Sequence, residues 1–118
     1  MEIKLKRYDI VQADLSGAVG SEQGGVRPVL IVQNDTGNLH STTTIVMPFS
    51  TKTYKNQNQP THTLIKKSVD TGLKMDSILL GEQMRVISSQ RIIRKIGSVT
   101  DEKERKEIRR VYEANFGE

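Results

Sequence analysis

The chain has 118 residues, 35% of them hydrophobic, with 18 Lys and Arg against 14 Asp and Glu, a formal charge of +4 and no cysteine. That length builds one domain over residues 1–118 with a modest core, not two. The lack of cysteine excludes a disulfide framework and any thiolate metal site and suits a reducing cytoplasm. The mild basic excess favours a polyanionic or acidic partner without requiring one.

The first seven residues carry charge but lack the apolar stretch of a signal peptide. The longest apolar run, Val29-Leu30-Ile31-Val32, is far short of the roughly 20 residues that span a bilayer. A soluble cytoplasmic protein is therefore expected. Tyr8–Leu15 reads as a first strand with apolar groups on both faces: Tyr8 and Ile10, with Gln12, on one, and Val11, Ala13 and Leu15 on the other. Pro28–Asn34 reads as a second, β-branched and buried on both sides. Asn34-Asp35-Thr36-Gly37-Asn38 is a turn by composition, and Thr42–Ser50 is a third strand in which Pro48 signals an edge or bulge.

Thr51–Gln59 is polar and reads as a surface loop. Thr61–Lys66 is a fourth strand; Ser77–Leu80 and Gln83–Ile87 are strand material interrupted near Gly81-Glu82, and Ile92–Gly97 is a last short strand. From about Asp101 to Asn115 the pattern changes to a helix. Asp101 and Glu104 form a capping box, and Ile108, Val111 and Tyr112 share one stripe. Strands first and a helix last predict a mainly β protein with a C-terminal helix, a small β-barrel or an α+β fold.

The chemistry concentrates in Ser21-Glu22-Gln23-Gly24-Gly25-Val26-Arg27-Pro28. Gly24-Gly25 leaves backbone N–H groups bare for an anion. Pro28 fixes the start of the strand and biases Arg27 toward extended geometry. A guanidinium at a rigid rim suits a phosphate; its plain alternative is a surface ion pair with Glu22. Ser50, like Arg27, lies at a strand end beside a loop. RNA carries its own 2′-hydroxyl nucleophile, so charge and hydroxyl donors around the phosphorus are enough to promote cleavage. His40 and His62 lack zinc-site spacing, and as an acid–base pair they compete with a plainer reading in which both are solvated. No P-loop or dinucleotide motif is present, and no cofactor or metal is expected.

Gly20–Leu30 resembles the signature of the MazF/PemK toxins, and Asn34–Asn38, Pro60-Thr61-His62 and Leu80–Arg85 resemble further segments of that family in the expected order. The resemblance spans nearly the whole chain. It implies an SH3-like β-barrel with a C-terminal helix, acting as a homodimer. It implies metal-independent, sequence-specific cleavage of single-stranded mRNA to 2′,3′-cyclic phosphate and 5′-hydroxyl ends, under inhibition by an acidic antitoxin. Arg27 carries over as catalytic. The family's threonine partner falls on Ser50, with Thr51 as the fallback. Serine keeps the hydroxyl but loses the methyl that restricts rotation. Ser21, Glu22, Gln23, Gly24, Gly25, Gln83 and Arg85 fall where RNA contacts are expected, Arg85 being equally suited to an ion pair beneath the loop. Among few aromatics, Tyr54 is the stacking candidate, and Phe49 belongs to the core. Two alternatives stay open: a gyrase-poisoning toxin of the same fold, disfavoured by the absence of tryptophan, and a non-catalytic nucleic-acid-binding barrel.

Overall fold

The alternation of Tyr8–Leu15 divides the core. Val11, Ala13 and Leu15 join Val29, Ile31, Val46 and Ile87 on one side of a sheet. Tyr8 and Ile10 join Leu30, Met47, Phe49 and Leu79 on the other, where Ile108 and Val111 of the C-terminal helix close the cluster. Each buried Val, Leu, Ile, Met or Phe side chain among them contributes about 1.5–3 kcal/mol. The computed structural model describes residues 4–53 and 59–117. Its elements are β1 (Asp9–Asp14), β2 (Val26–Ile31), α1 (Asp35–His40), β3 (Thr43–Ser50), β4 (His62–Ile65), β5 (Ser77–Leu80), β6 (Arg85–Ser88), β7 (Ile92–Ser98) and α2 (Glu102–Ala114).

All pairings are antiparallel, in the order β4-β5-β3-β2-β1-β7, with β6 also against β3. The barrel takes the form of one sheet folded about β3, with β4 and β7 at its ends. β3 pairs with β6 through Thr43–Val46, then with β5 through Phe49 and Ser50. Pro48, which has no N–H to give, sits in the gap between those partners. A 3₁₀ turn over Gly81–Gln83 takes up the offset between β5 and β6, so the predicted interruption near Gly81-Glu82 is found where expected.

Three expectations change. Asn34–Asn38 is no simple turn: the Asn34 side chain accepts from Gly37 N (2.8 Å), and this cap starts the short α1. The second strand begins at Val26, so Arg27 lies within it and not before it. Asp101 caps α2 by accepting from Glu104 N (2.9 Å), but Glu104 does not reach back to it. The Glu104 carboxylate accepts instead from Lys66 N (3.0 Å), tying the helix start to the end of β4.

α2 docks against the start of β1 and against β4. Toward β1, Arg105 stacks on the Tyr8 ring (4.4 Å to its centroid) and Arg109 donates to the Tyr8 hydroxyl (3.0 Å). Toward β4, Arg110 donates to the carbonyls of Pro60 (2.8 Å) and His62 (3.1 Å), and Asn115 to that of Gly81 (2.7 Å). Ile108 and Val111 are fully buried, whereas Tyr112 is partly exposed and meets Phe116 ring to ring. Among the described residues, no helix is long and apolar enough to cross a membrane.

Candidate active site

The loop between β1 and β2 is built from its own short-range bonds. The Leu15 N–H donates to the Gly25 carbonyl (2.9 Å), closing the loop. Gly25 has φ of +72°, a conformation glycine adopts without penalty. At the loop's entrance, hydrogen bonds from the Ser16 hydroxyl and N–H hold the Asp14 carboxyl below its ordinary range, with Arg91 adding a smaller electrostatic pull. Glu22 accepts from Val19 N (2.8 Å), so its carboxylate closes a turn and does not pair with Arg27.

Arg27 is held by three acceptors. Its Nε donates to the Gly24 carbonyl (2.9 Å), and its Nη1 to both the Gln23 side-chain oxygen and the Phe49 carbonyl (3.2 Å). Nη2 has no protein partner among the described residues. The fork is thereby fixed with one nitrogen unspent. β2 and β3 pair Val29 with Pro48, Leu30 with Met47 and Ile31 with Val46. The Phe49 carbonyl that Arg27 Nη1 reaches belongs to the residue directly before Ser50. Ser50 is partly exposed, and its hydroxyl accepts from Lys52 N (3.2 Å).

Two adjoining cavities, of about 300 and 230 Å³, form a groove beside this pair and share Ser21, Gln23, Glu82 and Gln83. The larger adds Glu22, Pro48, Met84 and Arg85. The smaller adds Ser50, Lys52, Ile78 and Leu80. Gln83 joins the walls, accepting from Gln23 N (2.8 Å) and donating to the Ser21 carbonyl (3.0 Å). Of the residues singled out in the sequence, Ser21, Glu22, Gln23, Ser50, Gln83 and Arg85 line the groove. Arg27 lines neither cavity and touches the groove through its bond to Gln23. Gly24 and Gly25 line neither cavity; one holds Arg27 by its carbonyl and the other makes the turn. Thr51 is exposed and lines neither cavity. Arg27, Lys52 and Arg85 make no ion pair among the described residues. Tyr54 lies outside them.

Two charged groove residues, Lys52 and Glu82, are not singled out by the sequence. Lys52 looked like part of a polar loop. Glu82 stands in the sequence only within the resembling segment, and its contact with His62 spans 20 positions. His62 is not solvated as the plain reading held: its ring is buried, and Nε2 lies 2.8 and 2.9 Å from the two Glu82 oxygens. His40, by contrast, ends α1 and is exposed.

Residues 6–114 match the family described as PemK-like, MazF-like toxin of type II toxin-antitoxin system. The chain belongs to that toxin family. It is 48% identical over 98 residues to Endoribonuclease EndoA of Bacillus subtilis, 83% of each chain. It is 42% identical over 113 residues to Endoribonuclease MazF of Staphylococcus saprophyticus, covering 96% of this chain and 92% of the relative. The fold matches a mycobacterial endoribonuclease solved in complex with its cognate antitoxin, at a TM-score of 0.76 and 18% identity, over 96% of this chain and 95% of that one.

Proposed function

We propose that this MazF-like type II toxin endoribonuclease cuts single-stranded mRNA in the groove between the Ser21–Arg27 loop and the Glu82–Arg85 segment, at sites set by the sequence of the strand. The strand's own 2′-oxygen attacks the adjacent phosphorus and the 5′-oxygen leaves, giving a 2′,3′-cyclic phosphate and a 5′-hydroxyl. Arg27 offers Nη2 to a phosphoryl oxygen as charge builds there, and the Ser50 hydroxyl donates beside it. Lys52 and Arg85, which make no ion pair among the described residues, hold flanking phosphates. Charge from these side chains takes the place of a divalent ion. Ser21, Gln23 and Gln83 offer donors and acceptors to splayed base edges, and Glu22 shapes the loop that carries them.

The observation that supports this reading most is the Arg27 arrangement: a guanidinium immobilised by three acceptors, among them groove-lining Gln23 and the carbonyl of Phe49 next to Ser50, with a nitrogen to spare. An immobilised fork loses little freedom when the crowded phosphorus centre forms, so its binding is directed to that state. The partner we infer is an acidic antitoxin whose disordered segment folds over the same cationic groove. The net charge of +4 and the related fold solved with its cognate antitoxin support it. A cytoplasmic homodimer completes the proposal.

The test is direct. Purified protein is incubated with a long RNA in EDTA and the new 5′ ends are mapped. Discrete cuts that disappear in Arg27→Ala are expected. Intact RNA together with inhibited DNA supercoiling would replace this reading with a gyrase poison.

A further inference from the structure

Three arginines converge on one ring. Arg105 and Arg109, one turn apart on α2, meet the same residue of the sheet: Arg105 Cζ lies 4.4 Å from the Tyr8 ring centroid, and Arg109 donates to the Tyr8 hydroxyl (3.0 Å). From the chain before β1, Arg7 Cζ lies 5.2 Å from the same centroid. Like charges four positions apart on a helix repel, and none of the three arginines makes an ion pair among the described residues. The adjoining carboxylates are taken. Asp35 accepts from the Arg7 backbone N–H (2.7 Å), Asp9 from Lys6 N and the Ser98 hydroxyl while pairing with Lys95, and Glu104 from Lys66 N.

Much of the donor capacity in this cluster is unused. Arg105 gives Nε to the Val99 carbonyl (2.7 Å) and Arg109 gives Nη1 to Tyr8. The Arg7 side chain makes no hydrogen bond among the described residues, and its Nε is buried without a partner. Docking of the helix explains Arg105 and Arg109. It does not explain Arg7, which belongs to no helix. The ring at the centre is rigidly presented: Tyr8 has φ of +76°, a conformation that suits glycine and strains a bulky residue. Its N–H donates to the Ile31 carbonyl (2.8 Å) and its carbonyl accepts from Val99 N (2.9 Å), which hold the strained backbone in place.

Planar guanidinium forks match phosphate oxygens, and the rest of α2 indicates which phosphate. Arg105, Arg109, Tyr112 and Phe116 follow one another at helical spacing, on one face of the helix and its exit. The Tyr112 and Phe116 rings reach solvent, 5.6 Å apart. Beside them Asn115 donates to the Gly81 carbonyl (2.7 Å), at the turn that carries Glu82 and Gln83 into the groove. Cations and aromatic rings on one face are the combination that binds single-stranded nucleic acid; an acidic peptide would use the charge and leave the rings idle. From Asn115 back to Arg105 the helix rises about 15 Å, room for a few nucleotides. We propose that Arg7, Arg105 and Arg109 form a second phosphate site, outside the groove, which holds the backbone of the RNA strand where it runs on from the Gly81 turn along α2; this rests on the RNA-cutting reading above. The site serves affinity for long strands and takes no part in breaking the bond.

Binding and cleavage of a short and a long strand test this. Cut positions are mapped in EDTA, and strands of about 6 and about 16 nucleotides centred on one cut are prepared with and without a 2′-deoxy sugar there. Arg7→Gln is expected to lower the salt slope of binding to the long 2′-deoxy strand by about one, and Arg7→Gln with Arg109→Gln by about two. For the pair, KM on the long strand should rise at least about fivefold with kcat within about twofold. The short strand should be bound and cut as by the unaltered protein. Arg7→Gln breaks no hydrogen bond of the fold, so its result holds even where loss of the Arg109 bond loosens α2. The inference is overturned if Arg7→Gln leaves the long strand's salt slope unchanged, or if both lengths lose affinity equally. Loss of poly-glutamate binding with RNA binding unmoved would overturn it too, assigning the surface to an acidic protein. Unaltered protein that leaves RNA whole removes the nuclease reading and this inference with it; cutting in which the variants treat both lengths alike removes only the second site.

Discussion

The two walls of the groove are built by different means. The Ser21–Arg27 wall closes on itself, with Arg27 bonded to residues three and four positions away. The Thr61–Glu82 wall is assembled from distant pieces. His62 and Glu82 lie 20 positions apart, Arg110 reaches back 48 and 50 positions, and Asn115 reaches back 34. The first wall therefore keeps its shape while β1 and β2 stay paired. The second keeps its shape only while α2 remains docked. Damage to the first should show in catalysis with stability nearly intact, and damage to the second in both.

The largest effect expected is at Arg27. Arg27→Lys keeps the charge but loses the planar fork, and should lower kcat by at least about 100-fold. A urea midpoint shifted little would keep the loss on the chemistry. Ser50→Ala should cost nearly as much, about 100-fold, and Thr51→Ala less than about twofold because that side chain is exposed and outside the lining. Loss of cleavage on Thr51→Ala alone would move the hydroxyl role off β3. On the second wall, a Cβ at Gly81 would come within 2.2 Å of Val111 Cγ1 and 2.7 Å of the Thr61 carbonyl oxygen. Gly81→Ala should therefore push helix and strand apart and destabilise the fold by about 1–3 kcal/mol in urea unfolding, with activity falling alongside. Gln83→Ala removes the two bonds joining the walls, for about 1–2 kcal/mol, and should blur the distinction between cut sites. Smallest is Arg85→Ala. Stability should change by less than about 0.5 kcal/mol, and the salt slope of RNA binding should fall by about one.

The same contrast governs how much of the molecule is legible in its sequence. The two-faced alternation of β1, the interruption before β6 and the buried Ile108 and Val111 of α2 follow from local periodicity, and local periodicity is enough to find them. Arg27 is visible because glycine, proline and arginine adjoin within one loop. Glu82 and His62 carry no comparable signal. A buried histidine on a four-residue strand becomes a functional neighbour only when β4 pairs with β5 and the turn at Gly81 brings Glu82 over it. α1 was hidden for a different reason: Asn34, Asp35 and Gly37 favour turns, and one cap bond from Asn34 decides for helix. The Glu104 carboxylate, expected to close a capping box, is claimed by Lys66 from an element 38 positions earlier.

The central claim is that Arg27 serves the phosphorus centre more than it serves strand binding. Comparing Arg27→Ala with the unaltered protein in EDTA, once for single-turnover cleavage and once for affinity toward a strand 2′-deoxy at the cut, tests it most directly. The account predicts a cleavage loss of about 100-fold or more with affinity reduced less than about tenfold. Cleavage that persists, or an affinity loss as large as the rate loss, would contradict it.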